Sequence, residues 1–261
     1  MIGAIIGDII GSIYENQPIR TTDFPLWTLG CRFTDDTVLT VAVAEALLRQ
    51  RDYVGVFREY YSRYPNAGYG GSFHQWARSS NPQPYGSWGN GSAMRVSPVG
   101  WFFDSLDDAV AEARRSAEAT HNHPEGVRGA ECVAACIVRA RQGASRGELR
   151  SLVEDRFYRL QWTLDELRPG YSFDVSCTGS VPVAVLAFLE STDFESAVRL
   201  AVSMGGDSDT LACIAGSLAE AFYGGVPAAL AERAKLYLTP ALSQLTDEFA
   251  ARLKLPYLSR S

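Results

Sequence analysis

Two short acidic stretches carry the residue types best suited to chemistry in this chain: Phe33-Thr34-Asp35-Asp36-Thr37 and Gly205-Gly206-Asp207-Ser208-Asp209-Thr210. Each opens an apolar segment. The second leads into Leu211, Ile214, Ala215, Leu218 and Phe222, one face of a helix, and the first into the run from Val38 to Leu48. A helix start needs one side-chain oxygen as a cap, and Asp207 is a natural N-cap. Two carboxylates and a hydroxyl at each of two helix starts exceed that need. Buried carboxylates repel one another and are costly to desolvate. A hard divalent cation such as Mg²⁺, Mn²⁺ or Ca²⁺ removes the cost, because it prefers oxygen ligands. Together with Glu15, the set Thr34, Asp35, Asp36, Asp207, Asp209 and Thr210 offers enough oxygens for two octahedral ions bridged by shared carboxylates and waters. Asp35 and Asp36 project about 100° apart on a helix, so one can face each ion.

Other chemistries lack their residues. There is no G-x-S-x-G elbow, no H-E-x-x-H and no G-x-x-x-x-G-K-[ST]. The Asp-Ser-Asp-Thr stretch lacks the twelve-residue spacing of an EF-hand loop. His121, His123, Cys132 and Cys136 match no common zinc spacing, and the two cysteines sit among Val133, Ala135 and Ile137 as core residues do. The five cysteines contain no C-x-x-C pair and read as reduced thiols. A formal net charge of −6 disfavours a nucleic-acid backbone as partner. No run of eighteen apolar residues suits a membrane span, and the apolar N-terminus lacks the basic start of a signal peptide. These features predict a monomer in the reducing cytoplasm.

The elements that must hold the acids read as helices throughout. Residues 2–14 form a buried helix whose Gly3, Gly7 and Gly11 share one face and lead to Glu15. Each glycine costs about 1 kcal/mol against alanine, so close packing of a neighbour or a ligand is expected there. Further helices are predicted over 35–50, 53–64, 105–120, 127–142, 146–159, 178–190, 194–204, 207–223, 227–238 and 241–253. Residues 65–92 read as a long glycine- and proline-rich loop with Trp76, Trp88, Tyr69 and Tyr85, of the kind that usually binds something. No domain linker or repeat interrupts the chain, which predicts one compact all-α domain over residues 1–261.

Four motifs, in order along the chain, resemble those of the ADP-ribosylhydrolases, the ADP-ribosylglycohydrolase family that includes dinitrogenase reductase-activating glycohydrolase. They are Gly7-Asp8-Ile9-Ile10-Gly11-Ser12-Ile13-Tyr14-Glu15, Phe33-Thr34-Asp35-Asp36-Thr37, Gly89-Asn90-Gly91-Ser92-Ala93-Met94-Arg95 and Met204-Gly205-Gly206-Asp207-Ser208-Asp209-Thr210. The resemblance implies an orthogonal all-helical domain with two Mg²⁺ or Mn²⁺ ions. Their ligands would be Thr34, Asp35, Asp36, Asp207, Asp209 and Thr210, with Glu15 as a gate at the metal centre. It implies ADP-ribose in a cleft, its distal ribose toward the metals. Gly86, Ser87, Trp88, Gly89, Asn90 and Gly91 match the loop that receives the diphosphate and ribose, and His121 a histidine on the phosphoribose side. Backbone amides of a glycine loop suit an anion. Where relatives carry an adenine-stacking aromatic, this chain has Asn81-Pro82-Gln83-Pro84-Tyr85, which leaves Tyr85 or Trp88 to stack.

The implied reaction is hydrolysis at the anomeric carbon of the distal ribose in an ADP-ribosylated protein or related conjugate. Asp35 or Asp36 would orient or deprotonate water, with Glu15 as the third candidate. Two rivals use the same residues: another di-metal hydrolase such as a phosphoesterase, and a non-catalytic ADP-ribose binder.

Overall fold

The apolar N-terminal segment folds as α1 (Ile2–Gly11), every residue of which is buried. The computed structural model describes residues 1–255, so the last six residues of the expected 1–261 domain lie outside the described residues. After α1 come α2 (Asp35–Arg49), α3 (Tyr53–Arg63), α4 (Gly71–Arg78), α5 (Gly91–Met94), α6 (Ser97–Phe102), α7 (Leu106–Glu118) and α8 (Pro124–Arg141). The second half contributes α9 (Arg146–Arg156), α10 (Leu164–Leu167), α11 (Cys177–Leu189), α12 (Phe194–Val202), α13 (Ser208–Phe222), α14 (Ala228–Lys235) and α15 (Pro240–Leu253). The expected all-α class holds. Among the described residues the extended pairing is a single antiparallel bridge between Gly89 and Ser176. No helix among them is long and apolar enough to cross a membrane.

Helix α13 is the central post. Its residues from Ser208 to Ala221 are all buried, so it packs around its whole circumference rather than along one face. The glycine stripe of α1 lies directly on it. A Cβ at Gly3 would come within 2.4 Å of the Gly216 carbonyl, at Gly7 within 2.0 Å of the Ala212 carbonyl, and at Gly11 within 2.4 Å of the Ser208 carbonyl. No side chain fits in those gaps, so glycine is the residue that lets the two backbones touch. The same contact is fastened by Glu220, whose Oε2 accepts the Gly3 amide at 2.8 Å.

Several elements depart from expectation. Helix α1 stops at Gly11 rather than running to residue 14, because the Ser12 hydroxyl turns back to the Ile9 carbonyl and the Tyr14 amide bonds Gly11. Helix α7 ends at Glu118, and α8 begins at Pro124, with His123 accepting the Glu125 amide as its cap. Within 65–92 the chain is not loop throughout. Helix α4 buries Phe73, Trp76 and Ala77 at i, i+3 and i+4, a period hidden by the glycines before it. The short helices α5, α6 and α10 were not anticipated. All five cysteines are buried free thiols.

The backbone contact makes a direct prediction. Gly7→Ala should lower stability by about 2 kcal/mol or more, since the added methyl meets backbone that cannot rotate aside. A thermal melt measures it, and an unchanged Tm would contradict the close approach.

Candidate active site

Asp8 is the residue from which the site is built, and sequence reasoning passed over its own role. It is a fully buried carboxylate midway along an apolar helix. Its Oδ2 accepts the Thr34 amide at 2.9 Å and the Thr37 amide at 3.1 Å. Its Oδ1 accepts the Thr34 hydroxyl at 2.6 Å, and the Thr37 hydroxyl also donates to Oδ2. Four donors therefore lock the first turn of α2 onto α1. With its proton given to Asp8, Thr34 Oγ1 is left as an acceptor, weakly used by the Asp36 amide at 3.3 Å.

The start of α13 meets this turn from the other side. Asp207 stands at the N-cap position yet makes no capping bond. Its Oδ2 instead accepts the side-chain amide of Asn90 at 2.7 Å, which ties the glycine loop to the acids. Carboxylate oxygens of Asp8, Asp36 and Asp209 lie within 4.8 Å of one another, and so do those of Glu15, Asp207 and Asp209. Asp209 belongs to both triads. Thr210 Oγ1 reaches Asp36 Oδ2 at 3.4 Å. Asp35 belongs to neither triad; it is half-buried on the cavity wall, its amide bonded to the Ala67 carbonyl at 2.8 Å.

This much buried acid is out of balance. Burial pushes the Asp36 and Asp209 carboxyls well above the usual range, and neighbouring carboxylates push further: Asp8 on Asp36, Asp207 on Asp209. Burial also raises Asp8, Asp207 and Glu15, and lifts Asp35 to about 8 with help from Asp8. Asp36 Oδ1 is buried with no hydrogen-bond partner. An orphaned carboxylate oxygen, two triads sharing one acid, and an oxygen-only donor set all fit hard divalent metal. Neither triad contains histidine or cysteine.

A cavity of about 440 Å³ runs from these acids to the glycine loop. Tyr85, Ser87, Gly89, Gly91 and His121 also line it, with Asn90 where the loop meets Asp207. The loop is seated on the turn after α7: the Gly86 amide donates to Asn122 Oδ1 at 2.7 Å, and Tyr85 lies 6.1 Å, ring to ring, from His121. Its other side pairs with residues 175–177, through the Asn90 amide to Val175 and the Cys177 amide to Trp88. Gly86 and Trp88 do not line the cavity, and Trp88 is 53% exposed. Two exposed apolar residues that sequence reasoning missed, Phe173 and Val175, form part of the wall instead.

The acids predict an unusual pH dependence. Without metal, each binds its proton more tightly in the folded chain than in the unfolded one. Their contribution to stability is therefore full below about pH 4 and is lost as pH rises through their raised values, that of Asp35 lying at about 8. His121, held well below its usual range by burial and then by Arg95, works in the opposite sense below about pH 6.5, one group against several. Denaturant melts of the metal-free protein should show stability falling between pH 5 and pH 8, and Mg²⁺ at pH 8 should restore it. A flat profile, or one indifferent to Mg²⁺, would contradict the coupling.

The family model described as ADP-ribosylglycohydrolase matches residues 1–258. The chain is 29% identical to ADP-ribosylhydrolase ARH3 of Homo sapiens, over 86% of this chain and 84% of that protein. It is 26% identical to ADP-ribosylarginine hydrolase Tri1 of Pseudomonas putida, over 87% of this chain and 71% of that protein. A solved structure, titled ADP-ribosylglycohydrolase-related protein complex, superposes with a TM-score of 0.71 at 26% identity, covering 97% of this chain and 95% of that one. Matched along nearly its whole length, this chain belongs to the ADP-ribosylglycohydrolase family.

Proposed function

We propose that this protein hydrolyses the glycosidic bond between ADP-ribose and an acceptor side chain or related conjugate, with two Mg²⁺ or Mn²⁺ ions. The observation that carries the reading is one cavity lined both by Glu15, Asp35, Asp36, Asp207 and Asp209 and by the glycine loop that Asn90 ties to them. The distal ribose sits against the acids and the diphosphate over Gly89 and Gly91. Thr34, Asp35, Asp36, Asp207, Asp209 and Thr210 would hold the metal, which supplies the positive charge that keeps these carboxylates ionised and polarises the ribose hydroxyls.

Asp35 is the best placed general base, being half-buried on the cavity wall and outside both triads. It orients a water and takes its proton as the water oxygen bonds to the anomeric carbon. The bond from that carbon to the acceptor breaks, and the acceptor takes up the proton that Asp35 received, which returns the carboxylate. Glu15, half-buried beside Asp207 and Asp209, closes the same end of the cavity. The adenine end rests against Phe173, Val175 and the nearby Trp88, the exposed apolar side chains at this mouth. A family match and the names of the relatives support the reaction class; the acids and the loop support the placement.

Peptides ADP-ribosylated through defined linkages test the reading. ADP-ribose release should require Mg²⁺ or Mn²⁺, and Asp209→Asn should cut it at least a hundredfold. Phosphate released from a model phosphate ester, with no ADP-ribose released from any peptide, would point to a phosphoesterase. Tight ADP-ribose binding without turnover would leave a binder.

For the adenine end, Phe173→Ala and Trp88→Ala should each weaken ADP-ribose binding by about 1 kcal/mol in calorimetry, the size of a lost aromatic contact. Unchanged affinity in both variants would place adenine elsewhere.

A further inference from the structure

Arg95 is the largest fully buried side chain among the described residues, and no carboxylate pairs with it. Its guanidinium lies over the Phe57 ring at 4.3 Å and donates through Nη2 to the Ser116 carbonyl at 2.8 Å and to Thr120 Oγ1 at 2.9 Å. Ser116 is in the last turn of α7, so the cation sits where a helix C-terminus favours positive charge. Nε and Nη1 are buried without partners. An arginine is an expensive way to fill a core position. Arg95 borders the cavity but has no solvent-exposed surface there, and its hydrogen bonds run to Ser116 and Thr120.

What it does touch leads into the cavity. Thr120 Oγ1 lies 2.7 Å from His121 Nδ1. The Thr120 hydroxyl is fully buried, and it accepts a hydrogen from Arg95. Its own hydrogen has one acceptor within reach, Nδ1. Were Nδ1 protonated, that hydroxyl hydrogen would be stranded in the core at the cost of an unmade hydrogen bond. Nδ1 therefore accepts, and the ring proton resides on Nε2. The Nε2 edge faces the glycine loop, where a Cβ on Gly91 would stand 3.1 Å from it and one on Gly89 3.6 Å. The absence of side chains at both positions leaves that N–H open to the cavity.

We propose that Arg95 and Thr120 are positioning residues that fix His121 as the Nε2–H tautomer, presenting a neutral hydrogen-bond donor to a diphosphate oxygen. The ligand half of this proposal rests on the ADP-ribose reading of the cavity; the tautomer half does not. The charged and titratable groups facing His121 are Arg95 and Tyr85, and both burial and the Arg95 charge oppose a second ring proton. The ring is thus a fixed donor near neutral pH and takes no part in proton transfer.

Two measurements on the full chain test this. Long-range proton–nitrogen NMR of the ligand-free protein should find His121 with a protonated Nε2 and a bare Nδ1. Thr120→Val should lose that fixed assignment and bind ADP-ribose roughly tenfold or more weakly, while Thr120→Ser restores both. Arg95→Lys, a gentler change than truncation of this core residue, should mix the tautomers as well. A protonated Nδ1 in the wild type would overturn the tautomer, and so would an unaltered spectrum in Thr120→Val. Wild-type affinity in a Thr120→Val protein whose spectrum has changed would overturn the ligand half. Failure of the wild type to bind ADP-ribose would overturn the reading of the cavity and the ligand half with it, leaving the spectrum to decide the tautomer.

Discussion

The contact between α1 and α13, backbone against backbone, is the constraint from which the site follows. Gly3, Gly7 and Gly11 give up helix propensity so that α1 can lie against the carbonyls of Gly216, Ala212 and Ser208. That closeness brings Asp8, on α1, within reach of Asp209 in the first turn of α13. Asp8 in turn carries the start of α2 on four hydrogen bonds, which sets Thr34 and Asp36 beside Asp209. Two acidic stretches far apart in sequence become one cluster because three side chains are missing between two helices.

The cluster runs against ordinary folding energetics. Six carboxylates converge on one end of a cavity, most of them buried, and their raised affinity for protons measures how poorly the folded chain tolerates their charge. Sites that conflict with stability in this way are commonly functional. At the glycine loop the logic is reversed. A buried arginine without an acid and a neutral histidine with an N–H beside the glycine loop favour a negatively charged guest.

Much of this was legible in the chain. Asp35-Asp36 and Asp207-Ser208-Asp209 offer more acid than any helix cap uses, and Glu15, Asp36, Asp207 and Asp209 do converge. The glycine stripe was legible because its four-residue period has no other use in an apolar helix. Asp8 carried a signal too, a lone acid inside Ile5-Ile6-Gly7-Asp8-Ile9-Ile10, but its donors come from α2 and no local pattern names them. Helix α4 was hidden because Gly68, Gly70 and Gly71 read as loop while the Phe73–Trp76–Ala77 face depends on tertiary burial. Phe173 and Val175 reach the cavity through the pairing of residues 175–177 with the glycine loop, a long-range register that leaves no mark in either segment. Arg95 was seen within its motif, yet its link to His121 passes through Thr120, which nothing in the sequence distinguishes.

In the proposed function the α1–α13 contact assembles two ion sites from the two acidic stretches, with Asp209 shared by both acid triads. Anomalous diffraction from crystals soaked in Mn²⁺ tests it most directly. The account predicts two peaks, on either side of the Asp209 carboxylate, ligated by oxygen alone. A single peak, or peaks at the cysteines or histidines with the acids bare, would contradict it.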